Sequence, residues 1–105
     1  RLAIATTSDP ENVLALLETA LAPDSAAWFD VIAAGDVVPA KKPAPDIYEY
    51  ALQKLGLAPA VCLAIEDSHQ GLQAATRAGL KTVITFNGYT QNEDFSAAAL
   101  VLDHL

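Results

Sequence analysis

Methionine is absent from the 105 residues, and cysteine occurs once, as Cys62. A single thiol cannot form a disulfide within one chain, and its place inside the run Val61-Cys62-Leu63-Ala64-Ile65 reads as a buried, inert side chain. Basic residues are also scarce: six Lys and Arg stand against thirteen Asp and Glu, for a formal charge of −7. That balance argues against nonspecific attraction to nucleic acid or anionic lipid, so neither is expected as a partner. No apolar run reaches the length of a membrane span, and a cytoplasmic location is the expectation. The missing methionine, with an opening at Arg1-Leu2-Ala3-Ile4-Ala5 directly in an apolar strand, leads to the expectation that an N-terminal part lies outside this sequence.

What is present is largely apolar. Hydrophobic residues make up 52% of the chain, enough for a folded core, and many are alanine, so that core is built of small side chains. The length suits one small domain or a piece of a larger one.

Residues 61–79 organise the chain. The apolar run 61–65 reads as a buried strand of a parallel sheet. Glu66 and Asp67 follow at its C-terminal end. Ser68 is placed as a helix N-cap, Gly71 in the first turn, Leu72, Ala75 and Ala78 on one face, and Gly79 as the stop. Ligands of open α/β sheets sit at the carboxyl ends of strands, where two carboxylates suit a hard cation such as magnesium. The same acids also complement the positive end of a helix, and both readings stand.

Upstream, residues 2–5 read as a strand closed by Thr6-Thr7-Ser8. Ser8-Asp9-Pro10-Glu11 has the form of a capping box, with Val13, Leu14, Leu17 and Leu21 on one helical face and Pro23 ending it. Three hydroxyls above a helix N-terminus make a candidate phosphate site, with plain capping as the other reading. Residues 24–29 form a short helix or turn that sets Trp28 and Phe29 on the sheet edge, and 31–34 a second strand. The loop 35–45 holds Lys41-Lys42-Pro43-Ala44-Pro45; its prolines stiffen it, as a loop must be to hold one lysine at a fixed point. Pro45 then opens a helix with Ile47, Tyr50, Ala51 and Leu55 on one face and Gly56 at its end. A strand over 81–86, a turn at Asn87-Gly88, irregular chain or a short helix over 92–99, and an edge strand over 100–103 complete the pattern. His69 and His104 read as surface residues. Alternating strands and helices predict an α/β fold with a doubly wound parallel sheet. Thr6-Thr7-Ser8, Lys42 and Glu66-Asp67 then share one sheet edge, the parts needed to hold and polarise a phosphoryl group.

These residues resemble the haloacid dehalogenase superfamily in its phosphatase and phosphomutase branch. Leu2-Ala3-Ile4-Ala5-Thr6 is similar to its second motif, Lys42-Pro43-Ala44-Pro45-Asp46-Ile47-Tyr48 to its third, and Ile65-Glu66-Asp67-Ser68 with Gly71 to its fourth. Ala5-Thr6-Thr7-Ser8, Gly35-Asp36-Val37-Val38, Lys41-Lys42-Pro43 and Tyr89-Thr90 look closest to the CbbY-like sugar-phosphate phosphatases. A member of that group removes a phosphate from xylulose 1,5-bisphosphate. The resemblance implies a magnesium-dependent phosphatase of a small phosphorylated metabolite. Thr6, Lys42 and the backbone N–H of Thr7 hold the phosphoryl group, Asp67 ligates Mg2+, and Glu66 holds a metal-bound water or Asp67 itself. Lys42 is thereby the one catalytic side chain that the chain supplies. The location implied is cytoplasmic, or the plastid stroma in a photosynthetic eukaryote.

The family's first motif, Asp-x-Asp, has no match anywhere in the sequence. Its first aspartate is the nucleophile that becomes an aspartyl-phosphate; its second is the general acid and base. The helical cap that selects substrate has no match either. Residues 1–105 are therefore expected to be the C-terminal part of a catalytic core, lacking the first strand of the family's sheet. That strand lies between residues 2–5 and 61–65, so those two strands face a gap that an N-terminal segment or another chain must fill. Two alternatives remain at this point: a phosphosugar mutase of the β-phosphoglucomutase type, and a noncatalytic module that binds phosphate or a partner at the same edge. Dehalogenases of the superfamily need no magnesium, so the acidic pair argues against them.

Overall fold

The computed structural model describes residues 1–86 and 93–102. The expected turn at Asn87-Gly88, the Tyr89-Thr90 motif, Asp103 and His104 lie outside them. Within them, strand and helix alternate as β1 (Ala3–Ala5), α1 (Pro10–Ala20), β2 (Val31–Ala33), α2 (Asp46–Leu55), β3 (Leu63–Glu66), α3 (His69–Arg77), β4 (Lys81–Thr85) and β5 (Leu100–Leu102). Every strand pair is parallel, as a βαβ architecture requires.

The pairing is split into two sheets. β1 pairs with β2, Ile4 opposite Ile32, while β3, β4 and β5 form a second sheet in that order, with Glu66 opposite Ile84 and Thr85 opposite Leu102. Between them runs a trough of about 630 Å³, lined by residues 1–5 of the β1 edge, 61–65 of the β3 edge and, below, Tyr48, Ala51, Leu52 and Leu55 of α2. The gap between residues 2–5 and 61–65 is thus a feature of the structure.

Helices cover both faces. Successive strand residues point to opposite sides, and the two clusters divide accordingly. Val13 and Leu17 of α1 meet Ala34, Ile4 and Ile32 on one face. Ile47, Tyr48 and Ala51 of α2, with Ala74 and Ala75 of α3, meet Ala33, Ala64 and Leu80 on the other. Among the described residues the second sheet is covered on that face alone, so Leu63 and Ile65 are 60% and 54% exposed.

Several local expectations shift. Helix α1 is N-capped by Asp9, with no side-chain cap bond, and Pro10 occupies its first turn. The capping box on Ser8 does not form, because the Ser8 N–H donates to Thr6 Oγ1 at 3.2 Å, closing a turn one residue earlier. Only Val13 and Leu17 of the expected α1 face are buried, and Leu14 and Leu21 are exposed. Trp28 is also exposed, on the 3₁₀ turn Ser25–Trp28, whereas Phe29 packs beside α1. β3 begins at Leu63 because Pro59–Val61 is a 3₁₀ turn, so Val61 and Cys62 precede the strand and Cys62 is half-buried. Residues 93–99 are irregular. Gly56 and Gly79 end their helices at φ 69° and 86°, a left-handed conformation that glycine adopts without steric cost. No helix of the described residues is long and apolar enough to cross a membrane.

Candidate active site at the strand C-termini

β1, β2 and β3 all run toward one edge, and the chain leaves that edge through the residues singled out by their motifs. Thr6 follows β1; its N–H donates to the Ala33 carbonyl of β2 at 2.9 Å, so it continues the ladder beyond the strand. Its hydroxyl oxygen accepts from the Ser8 N–H and therefore keeps its own proton to donate outward. Thr7 is exposed beside it.

Lys42 reaches this edge from the loop between β2 and α2. Its ammonium donates to the Ala5 carbonyl at 3.1 Å and to Glu66 Oε1. Ala5 ends β1 and Glu66 ends β3, so this one side chain bridges both sheets at the mouth of the trough. The side chains of the ion pair are 17% and 8% exposed, so solvent screens it little. Two of three ammonium N–H groups are spent, and among the described residues the third has no partner. Lys41 is exposed and, among the described residues, pairs only with Asp36, at 3.6 Å. The Lys-Lys dipeptide thus divides into one placed cation and one surface charge.

Glu66 and Asp67 separate as well. Glu66 lies on the buried face of β3, beneath α2 and α3, and its Oε1 accepts from both Lys42 and the Tyr48 hydroxyl. Asp67, one residue on, is exposed at the strand end. Gly71 explains how α3 passes so close to a carboxylate: a Cβ built there would collide with Glu66 Cδ and both its oxygens. Ser68 Oγ accepts from the Gly71 N–H at 3.0 Å, the expected N-cap. The His69 N–H donates to Glu93 Oε1 at 2.6 Å, and His69 Nδ1 lies 2.6 Å from the Asp94 carbonyl. A carboxylate therefore already meets the N-terminus of α3, and His69 is half-buried against the segment after β4.

Tyr48 is the site residue that periodicity missed. Its ring lies under Lys42 Nζ, 5.2 Å from the centroid, and its hydroxyl is buried on Glu66. Burial first, and the Glu66 carboxylate second, push that hydroxyl well above its ordinary value, so it stays a protonated donor. A signal did exist: a buried tyrosine needs a hydrogen-bond partner, and an acid at a strand end supplies one.

The donor set suits magnesium. That ion keeps several waters and takes one or two carboxylates together with substrate phosphate oxygens, and Asp67 offers an exposed carboxylate beside a candidate phosphate cradle. Glu66 spends Oε1 on Lys42 and Tyr48, while among the described residues its Oε2 has no hydrogen-bond partner, so the expected role of holding a metal-bound water or Asp67 falls to that oxygen. Among the described residues no group of three His, Cys, Asp or Glu side chains converges on one point, so any further ligands come from elsewhere.

Protein CbbY of Rhodobacter capsulatus is 56% identical over 98 residues, which cover 93% of this chain and 43% of that protein. The structure of a CbbY variant from Rhodobacter sphaeroides in complex with xylulose 1,5-bisphosphate matches 99% of this chain and 46% of its own, at 45% identity and a TM-score of 0.92. A putative β-phosphoglucomutase from Thermotoga maritima matches 97% of this chain and 47% of its own, at 30% identity and a TM-score of 0.83. The chain thus spans less than half the length of each. A model of haloacid dehalogenase-like hydrolases matches residues 1–79, and with these likenesses it shows that the chain belongs to that family of hydrolases.

Proposed function

We propose that the full-length protein is a magnesium-dependent phosphatase of a small phosphorylated metabolite, with a sugar bisphosphate resembling xylulose 1,5-bisphosphate as the first candidate. The observation that carries this reading is Lys42, held between the end of β1 and the end of β3 with one N–H that no described residue takes. Residues 1–105 supply the C-terminal part of the catalytic core, and its nucleophile comes from outside them.

Phosphoryl transfer spreads negative charge over the equatorial oxygens, and fixed donors stabilise that charge without reorganising. The Thr6 hydroxyl, the Thr7 N–H and the third Lys42 N–H play this part. Asp67 would hold magnesium, which would supply positive charge to offset that of the carboxylates and phosphate gathered at the edge. Glu66 serves through Lys42: it fixes the ammonium and balances its charge. By family likeness, an aspartate outside these residues attacks phosphorus, forms an aspartyl-phosphate and releases the alcohol; water then frees the phosphate.

The likeness to a β-phosphoglucomutase supports one second reading, a phosphosugar mutase on the same core. The match of residues 1–79 to the hydrolase family model supports hydrolysis. The assay is phosphate release by purified full-length protein from a panel of sugar monophosphates and bisphosphates, with and without EDTA. Magnesium-dependent release, fastest from xylulose 1,5-bisphosphate, is expected. Isomerised sugar phosphate without net release would establish the mutase, and release insensitive to EDTA would overturn the metal assignment.

A further inference from the structure

We propose that Tyr48 is the residue that positions the Glu66 carboxylate, and through it the Lys42 ammonium, for phosphoryl transfer; this rests on the phosphatase reading above. Glu66 Oε1 accepts two donors of different character. Lysine sits on a flexible four-carbon stem. A glutamate's terminal torsion is broad, so a carboxylate can turn with little cost. A Lys–Glu pair alone could therefore swing together while keeping its contact. The Tyr48 hydroxyl is the rigid member. Its ring is buried in the cluster that α2 shares with Ala64 and Ala75, and one ring orientation fixes where its hydroxyl oxygen lies.

Gly71 closes the other side of the carboxylate, nearest its Oε2, so the group is held between a fixed donor on Oε1 and the start of α3. Once Oε1 is fixed, the Ala5 carbonyl fixes the second ammonium N–H. The three N–H directions of an ammonium are tetrahedral, so fixing two determines the third, which faces the substrate. A donor to developing charge acts only when it is held in place. Lys42 also lies over the Tyr48 ring, an attraction that survives loss of the hydroxyl. Tyr48→Phe therefore removes the positioning contact alone.

The experiment compares full-length wild type, Tyr48→Phe, Lys42→Ala and the double variant. Steady-state kinetics on the best phosphate ester are paired with calorimetric binding of inorganic phosphate. Tyr48→Phe is expected to lower kcat about tenfold with KM within about twofold, and to weaken phosphate binding. In the Lys42→Ala background the same change is expected to cost less than about twofold in either measurement, because no ammonium remains to be placed. Equal fractional losses in both backgrounds, or wild-type kinetics in Tyr48→Phe, would overturn the positioning role and leave the phosphatase reading intact. A wild-type protein that turns over no phosphate ester would remove that reading and this inference with it.

Discussion

At the scale of single residues, two adjacent lysines have opposite fates. Lys42→Ala is expected to lower kcat/KM by two orders of magnitude or more, since a charge-assisted contact to the phosphoryl oxygens is worth on the order of 3 kcal/mol. Lys41→Ala, at an exposed ion pair, is expected to stay within about twofold. Parallel kinetics of the two variants check this, and equal losses would return Lys42 to the surface charges. Gly71→Ala tests the seat of Glu66: the added methyl must displace a carboxylate that Lys42 and Tyr48 pin. A loss of about 2 kcal/mol in denaturant unfolding is expected, as for overpacked sites, together with a fall in turnover. Tyr48 also gives a pH dependence. Its folded-state value is raised, so its contribution is fully present below the unfolded tyrosine value of about 10 and is lost as pH rises above it. Urea unfolding between about pH 9 and 11.5 is expected to show a decline that is shallower in Tyr48→Phe.

At the scale of elements, β1 and β3 each present to the trough an edge that no described strand pairs with, and β3 an apolar face, Leu63 and Ile65, exposed among the described residues. Exposed strand edges recruit other strands. The 105 residues alone are therefore expected to self-associate in sedimentation velocity, and Leu63→Lys with Ile65→Lys to shift them toward monomer. In the full-length protein the same pair is expected to destabilise by several kcal/mol, about 1.5–3 kcal/mol for each side chain that the rest of the protein covers. An unchanged unfolding midpoint there would show that this face stays open. Helix boundaries show where local reading stops. Pro10, Ser68, Gly56 and Gly79 mark ends correctly because capping and positive φ are local effects. The capping box on Ser8 failed because Thr6 took the Ser8 N–H first, a competition between two local hydrogen bonds that spacing alone cannot rank.

At the scale of the whole molecule, these residues hold some of the parts that the proposed phosphatase needs. They bring together a hydroxyl, a placed ammonium and an exposed carboxylate, but no Asp-x-Asp. Electrostatic groups without a nucleophile cannot form a covalent phosphoenzyme. The isolated 105 residues are therefore expected to release no phosphate from an aryl phosphate with magnesium, while the full-length protein does. Comparable turnover by the two would show that the nucleophile lies within these residues.

Much was legible in the sequence: the strand–helix alternation, the parallel class, the loop that delivers Lys42, and the strand end that carries Glu66 and Asp67. Each is written in composition and spacing within a dozen residues, where backbone sterics and burial act locally. Tertiary structure alone decided three things. The sheet is in two pieces, because strand pairing depends on which strands are present to pair. The two acids divide, one turned inward and one exposed, because β3 continues through Glu66 and so fixes its side. Tyr48 joins the site because α2, packed against β1 and β2, lies along the floor of the trough and brings a hydroxyl to a carboxylate 18 residues away. Helical periodicity names the buried face of α2, but which polar atom waits beneath that face is set only by long-range packing.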